Sequence, residues 1–408
     1  YADLAESGSP LANSCSRSMP KVGPVSFSPE RRALLAGAAA VSSQFFLGKS
    51  SFSAPSGSTL TDVEEPLDSF LRKIPKAELH VHFCGTLHKK TLERLASKYR
   101  VDESESIEKA FDRSGFNNVL TALKLASRLM AQPEDLRDAV YATQQEAADN
   151  GVRYREMFWN PSDQEEVGGI PYAAAQEGLV AGLADAERDF GIVGRLIPSI
   201  DRSGTPERAL RMVEDVLANP SSYTLGIGMD YLEADGAPEH FWKAYRMAYS
   251  NGLRCTAHAG EDGAHPRNID TCLSLLRCSR IDHGYTVLED ETLTQRCLEE
   301  GIVFNVAPSN SYYSEVLAGQ DWSVVHPIRH MIDRGLKLSL GTDDPPLHFT
   351  DPGQAYISIV RDFGATLDDV RGIIGNSIDG CWAPEPDKAA WRAAWLQEFD
   401  EMRSTLPS

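Results

Sequence analysis

From Leu67 to the C-terminus, short apolar runs alternate with longer stretches in which apolar residues recur every three or four positions. Runs of the first kind suit strands buried on both faces, and stretches of the second kind suit helices with one apolar stripe. The pattern predicts strands over Ala77–Phe83, Val152–Phe158, Ile192–Ile200, Thr224–Asp230, Leu253–Ala257, Arg280–His283, Ile302–Val306 and Leu336–Leu340. It predicts helices over Ala173–Phe190, Pro206–Leu217, Pro238–Ser250, Glu291–Glu300 and Val324–Arg334, several closed by glycine, as at Asn251-Gly252, Gly301 and Gly335. Eight strand–helix repeats point to an α/β fold, a (β/α)8 barrel of the TIM type. The stretch from Lys89 to Asn150 has helical periodicity and no strand, so extra helices are expected after the first strand, over the barrel mouth. A last helix is expected over Pro384–Met402, with Trp391, Trp395 and Phe399 packing on the barrel.

Residues 1–65 are rich in Ser, Ala, Pro and Gly and show no sustained period. The expected division is a disordered or targeting segment, 1–65, followed by one barrel domain, 66–408. Arg31-Arg32 ahead of the apolar Ala33–Val41 resembles a twin-arginine export signal, which implies a periplasmic or exported protein; an unstructured Ala-rich extension on a cytoplasmic protein is the competing reading.

Forty Lys and Arg against fifty-nine Asp and Glu give a net charge of −19. A surface of that sign does not track nucleic-acid phosphate, so the expected partner is a small neutral or cationic molecule. No stretch approaches the roughly twenty apolar residues of a membrane span. The seven cysteines are odd in number and scattered, which implies no disulfide framework. The oligomeric state is not legible.

In a barrel of this type the chemistry sits at the C-terminal ends of the strands, and the notable polar residues fall there. His80 and His82 alternate with Leu79, Val81 and Phe83, so both imidazoles share one strand face. The fifth strand ends in His258-Ala259-Gly260-Glu261, the sixth in His283-Gly284, and the eighth in Asp343-Asp344-Pro345. His80, His82, His258 and Asp343 supply three nitrogens and one carboxylate to one zinc ion per chain, leaving a position for water, as in open catalytic sites. Glu261 and His283 remain for proton transfer, and Asp344 for a substrate hydrogen bond.

Four separated motifs, Pro75-Lys76-Ala77-Glu78-Leu79-His80-Val81-His82, His258-Ala259-Gly260-Glu261, His283-Gly284 and Ser339-Leu340-Gly341-Thr342-Asp343-Asp344-Pro345, together resemble the adenosine and adenine deaminases of the amidohydrolase superfamily. The resemblance implies a zinc-dependent hydrolysis of the adenine amino group to a 6-oxo purine and ammonia. It gives Glu261 the proton shared with the ring nitrogen beside the amino carbon, His283 the water, and Asp344 a purine contact.

The chain departs from that pattern at Cys84, where the family usually has a carboxylate. A thiol accepts poorly from a sugar hydroxyl. Gly226–Gly236, with Gly228 and Glu233, resembles the adenine-type pattern, which would place Glu233 along a ring edge. Cys84, Gly228, Glu233 and Asp344 are therefore the candidate substrate contacts, and the tilt is toward a free base or a modified purine. Competing readings are deamination of another amino-heterocycle, such as a pterin or an N6-substituted adenine, and a secreted, non-catalytic purine-binding or growth-factor-like relative. Arg155 and Glu156 are expected to pair with each other, Ser309-Asn310 to form a turn at the mouth, and His348 to lie at the surface or behind the ligands.

Overall fold

The computed structural model describes residues 65–112 and 116–407 of the chain. Apart from Glu65, the segment read as disordered or targeting, with its paired arginines, lies outside the described residues. The strands come in the predicted order: Lys76–Glu78, Val152–Trp159, Val193–Asp201, Gly226–Asp230, a fifth in two pieces (Arg254–Cys255 and His258–Ala259), Arg280–His283, Val303–Val306 and Lys337–Leu340. Each pairs in parallel with its successor.

The fifth strand is split because it changes partner midway. Thr256 N donates to Ile227 O of the fourth strand at 3.1 Å, whereas Ala257 O accepts from Asp282 N of the sixth at 3.0 Å. The ring closes beyond the regular part of the first strand, which is shorter than the alternation of apolar residues predicts. There Asp343 N donates to His80 O at 3.2 Å and His82 N to Asp343 O at 2.9 Å. On the other side Phe158 N donates to Val81 O at 2.9 Å. The first strand is thus held on both flanks by single bridges at the point where it delivers its imidazoles.

The stretch after the first strand forms helices Lys89–Tyr99, Ser104–Ala110, Phe116–Leu129 and Pro133–Asp149. The helix expected over Val324–Arg334 is two, Trp322–Val325 and Pro327–Asp333. Pro327 has no N–H to continue the ladder, and His326 Nδ1 caps the second helix by accepting from Ile328 N at 3.1 Å. The closing helix, Glu385–Arg403, buries Trp395 and Phe399, and Trp391 stacks on Trp395 with ring centroids 5.3 Å apart.

Arg155 and Glu156 do not pair with each other. Neighbours along a strand point to opposite faces, so Arg155 Nε meets Glu78 at 2.6 Å and Glu156 meets Arg280 at 2.5 Å. No helix among the described residues is long and apolar enough to cross a membrane.

Candidate active site

The strand ends bring His80, His82, His258, His283 and Asp343 into one buried cluster. One nitrogen or oxygen each of His80, His258, His283 and Asp343 lies within 4.8 Å of the others. His82 joins through Nε2, 3.1 Å from His258 Nε2 and 3.2 Å from Asp343 Oδ1, and His80 Nε2 lies 3.3 Å from the same oxygen. Two ligands about 2.0–2.1 Å from one ion at tetrahedral angles stand about 3.3 Å apart. Three of the separations among the four residues read from the sequence as ligands therefore have the edge length of a tetrahedral metal site, and His283 lies beside them.

Two aspartates that the sequence reading did not single out stand behind the imidazoles. Asp282 accepts from Thr256 Oγ1 and Asn305 Nδ2, both at 2.7 Å, with His80 Nδ1 at 3.8 Å and His258 Nδ1 at 4.0 Å. Asp230 accepts from Asn160 Nδ2 at 2.8 Å and lies 3.5 Å from His82 Nδ1. Carboxylates in that position hold ligand imidazoles in one orientation and raise their basicity. In sequence both read as ordinary polar positions on a strand; the signal was their place at, or one residue before, the strand end.

Backbone geometry aims these groups. Tyr231, His283 and Asp343 have φ of 67°, 69° and 61°, the left-handed region that non-glycine residues occupy at a cost of about 1–3 kcal/mol each. All three lie at the mouth ends of strands, where the turn swings the side chain over the barrel axis.

Burial dominates the electrostatics. It holds His258 and His283 well below the usual imidazole range, with the neighbouring imidazoles adding to the effect, so both are neutral and able to donate a lone pair. Burial opposes a charge on His82 as well, but Asp344, Asp230 and Asp343 outweigh it and raise its pKa. Burial, then Asp262, Asp343 and Glu233, push Glu261 well up, and burial and Asp343 do the same to Asp344. Glu261 accepts from Asn310 Nδ2 at 3.0 Å, and its Oε1 lies 3.4 Å from His283 Nε2. The Tyr285 hydroxyl donates to Ala307 O and accepts from Ala307 N, so its contact with His283 Nδ1, at 3.4 Å, is one in which the imidazole donates. That leaves Nε2 as the basic nitrogen, facing Glu261.

Asp344 Oδ1 is buried with no partner and faces the cavity. A side chain at Gly85 would overlap it, which fixes glycine on the first strand's turn. Of the other expected substrate contacts, Cys84 Sγ lies 3.3 Å from Ser127 Oγ and outside the ligand cluster, and burial pushes its thiol up to about 12. It is neutral and packs against the apolar cluster of Val119, Leu123 and Leu347. Gly228 and Glu233 take different parts from those expected. A Cβ at Gly228 would stand 2.6 Å from Phe158, whose ring stacks on His82. Glu233 accepts from the amides of Gly260 and Glu261, both at 3.0 Å, and from Asn268 Nδ2 at 2.8 Å. With both oxygens engaged, it anchors the turn that carries Glu261 rather than running along a ring edge. Asn310, read as a turn former, is both the cap of helix Ser311–Val316 and the donor to Glu261.

Comparison with known proteins agrees with this geometry. Residues 75–394 match the adenosine deaminase family. The chain is 31% identical over 330 residues to an adenine deaminase of Caulobacter vibrioides, covering 80% of this chain and 94% of that one. A zinc-bound amidohydrolase from Burkholderia ambifaria superposes with a TM-score of 0.81 at 42% identity, over 86% of this chain and 97% of the other. The adenine deaminase of Arthrobacter aurescens superposes with a TM-score of 0.75 at 26% identity, over 80% and 99%.

Proposed function

Because the chain belongs to the adenosine deaminase family, we propose that it hydrolyses the amino group from an adenine ring, taking up water and releasing ammonia to leave a 6-oxo purine. The observation that carries this reading is the convergence of His80, His82, His258 and Asp343, three of their separations matching the edge of a tetrahedral site, beside an acid, Glu261, and a base, His283.

The donor set fits zinc: three imidazole nitrogens and one carboxylate, with the further carboxylates Asp230 and Asp282 close by, whose burial calls for a compensating cation. When bound, such an ion supplies a nucleophile from water near neutral pH and polarises the carbon under attack. Glu261, kept protonated by its surroundings, hands its proton to the ring nitrogen beside the amino carbon. Asn310 holds that carboxyl in place. His283 Nε2 accepts the proton that the attacking water loses, and Asp344 Oδ1 accepts a hydrogen bond from the purine. Glu233 keeps the Gly260-Glu261 turn rigid while the proton moves.

The partner is a small purine; the relatives are named for adenine, and a neutral Cys84 supports a free base or a modified purine over a site that reads a sugar hydroxyl with a charge. The paired arginines support export of the chain, which a reporter fused to residues 19–60 tests: secretion that is indifferent to replacing Arg31 and Arg32 by lysine removes that reading. Ammonia release from a panel of amino-purines, with metal analysis of the same preparation, tests the function. A preparation with a full complement of metal and no turnover on any of them would leave a binding protein in place of an enzyme.

A further inference from the structure

The flank of the barrel carries a face that the active site does not use. Helix Pro206–Ala218 follows the third strand, helix Trp242–Ser250 follows the fourth, and the two pack side by side. Each turns one stripe to the barrel: Ala209, Met212, Val213 and Val216 on the first, Ala244, Tyr245 and Ala248 on the second. The outward stripe of the second helix is Trp242, Arg246 and Tyr249, whose spacing of four and then three keeps them on one face. Among the described residues Trp242 and Tyr249 are the exposed tryptophan and tyrosine, at 38% and 56% exposure. Arg254, Leu275 and Arg277, all exposed, continue the face below Tyr249. Gly252 N donates to Tyr249 O at 3.1 Å and Ser279 N to Cys255 O at 2.9 Å, which brings these segments together.

The charges on this face are unmatched. Lys243, Arg246, Arg254 and Arg277 form no salt bridge among the described residues, although acidic side chains outnumber basic ones in this chain by fifty-nine to forty. Glu207 and Glu214 on the neighbouring helix are exposed and likewise without a salt bridge, with the exposed Arg211 between them on the same stripe. Adjacent helices thus carry opposite charges that do not meet within one chain. Exposed Trp, Tyr and Arg together are the composition of the energetic centre of protein interfaces. An anionic lipid surface, or nucleic-acid phosphate, would satisfy the cations and leave Glu207 and Glu214 facing like charge.

We propose that this flank is an interface between two copies of the chain, related by a two-fold axis that lays helix Trp242–Ser250 of each on helix Pro206–Ala218 of the other. Such an axis makes every contact twice. Lys243 and Arg246 of one copy meet Glu207 and Glu214 of the other, and Arg211 stacks its guanidinium on an exposed ring, Trp242 or Tyr249. Each copy has a net charge of −19, but at physiological ionic strength the Debye length is about 8 Å, so repulsion between distant parts is screened and the charges in contact decide. The face runs down the flank toward the N-terminal ends of the strands, where Arg254 opens the fifth, so pairing leaves the mouth of the barrel free.

Sedimentation velocity of the full chain at physiological salt, over a micromolar concentration series, tests this. The wild type should reach twice the chain's 44.8 kDa at the upper end of the series. Trp242→Ala, the pair Lys243→Glu with Arg246→Glu, and the pair Glu207→Lys with Glu214→Lys should each weaken association at least about tenfold, since every lost contact counts twice. Making all four charge reversals together restores opposite signs across the axis and should recover most of that loss. All of these positions are exposed, and circular dichroism checks the fold of each variant, so the result stands apart from the deaminase reading. A wild type that stays at one chain's mass throughout overturns the interface, and co-sedimentation of that monomer with phosphatidylglycerol vesicles would assign the face to a lipid surface instead. A dimer that no variant weakens, or four reversals that recover nothing, overturns it as well.

Discussion

The carboxylate of Glu78 ties the first strand to the eighth: its Oε1 accepts from both the amide and the hydroxyl of Thr342, at 3.1 and 2.6 Å, while Oε2 accepts from Arg155 Nε at 2.6 Å. Thr342 immediately precedes Asp343, and Glu78 lies two residues before His80. One buried side chain therefore sets the spacing between ligands from opposite ends of the sequence.

Glu78→Gln keeps the volume and removes the charge, leaving Arg155 buried without its partner. Breaking a buried pair in this way costs about 3–5 kcal/mol. The variant should unfold at a markedly lower temperature and bind its metal more weakly than wild type, as read by thermal denaturation and by metal retained after dialysis against a weak chelator. Unchanged values in both would mean that the barrel closes independently of this contact.

Glu261→Gln preserves the hydrogen bond from Asn310 but cannot deliver a proton. It should retain metal and the wild-type fold and lose about a hundred- to ten-thousand-fold in kcat, the usual weight of general acid–base catalysis. Stopped-flow or steady-state ammonia release reads this, and a variant as fast as wild type would make Glu261 structural.

Cys84, with its thiol raised to about 12 by burial, stays protonated across the physiological range, since a raised acid loses its proton only as pH climbs toward that value. It should resist alkylation by iodoacetamide at pH 7 far longer than a free thiol. Cys84→Asp should raise the adenosine-to-adenine ratio of kcat/KM without altering metal content. Rapid modification of Cys84, or loss of metal on substitution, would contradict a neutral, packed thiol outside the ligand set.

The strands, and the gathering of His80, His82, His258, Glu261, His283 and Asp343 at their ends, were legible in the sequence because each depends on local information: an apolar run, then a polar residue at its end. His80 and His82 are an example, since the period of a strand alone puts them on one face. What was not legible depends on register between distant segments. Asp282 is invisible as a partner of His80 and His258 until the sixth strand is laid beside the fifth. Glu233 looked like a substrate contact because nothing in the sequence shows that two amides of the Gly260-Glu261 turn point at it. Arg155 and Glu156 look like a pair only if strand alternation is ignored. His348 lies behind the ligands, one ring nitrogen within 4.8 Å of carboxylate oxygens of Asp343 and Asp344, a closeness its own stretch of sequence does not show.

The central claim is that His80, His82, His258 and Asp343 hold one catalytic metal ion, and the most direct measurement is metal content per chain alongside ammonia release from adenine and adenosine in the wild type, His82→Ala and Asp343→Ala. The account predicts one equivalent of zinc and turnover in the wild type, and loss of both in each variant with the circular dichroism of a folded barrel. Full metal occupancy with undiminished turnover in either variant, or a metal-free wild type that still releases ammonia, would contradict it.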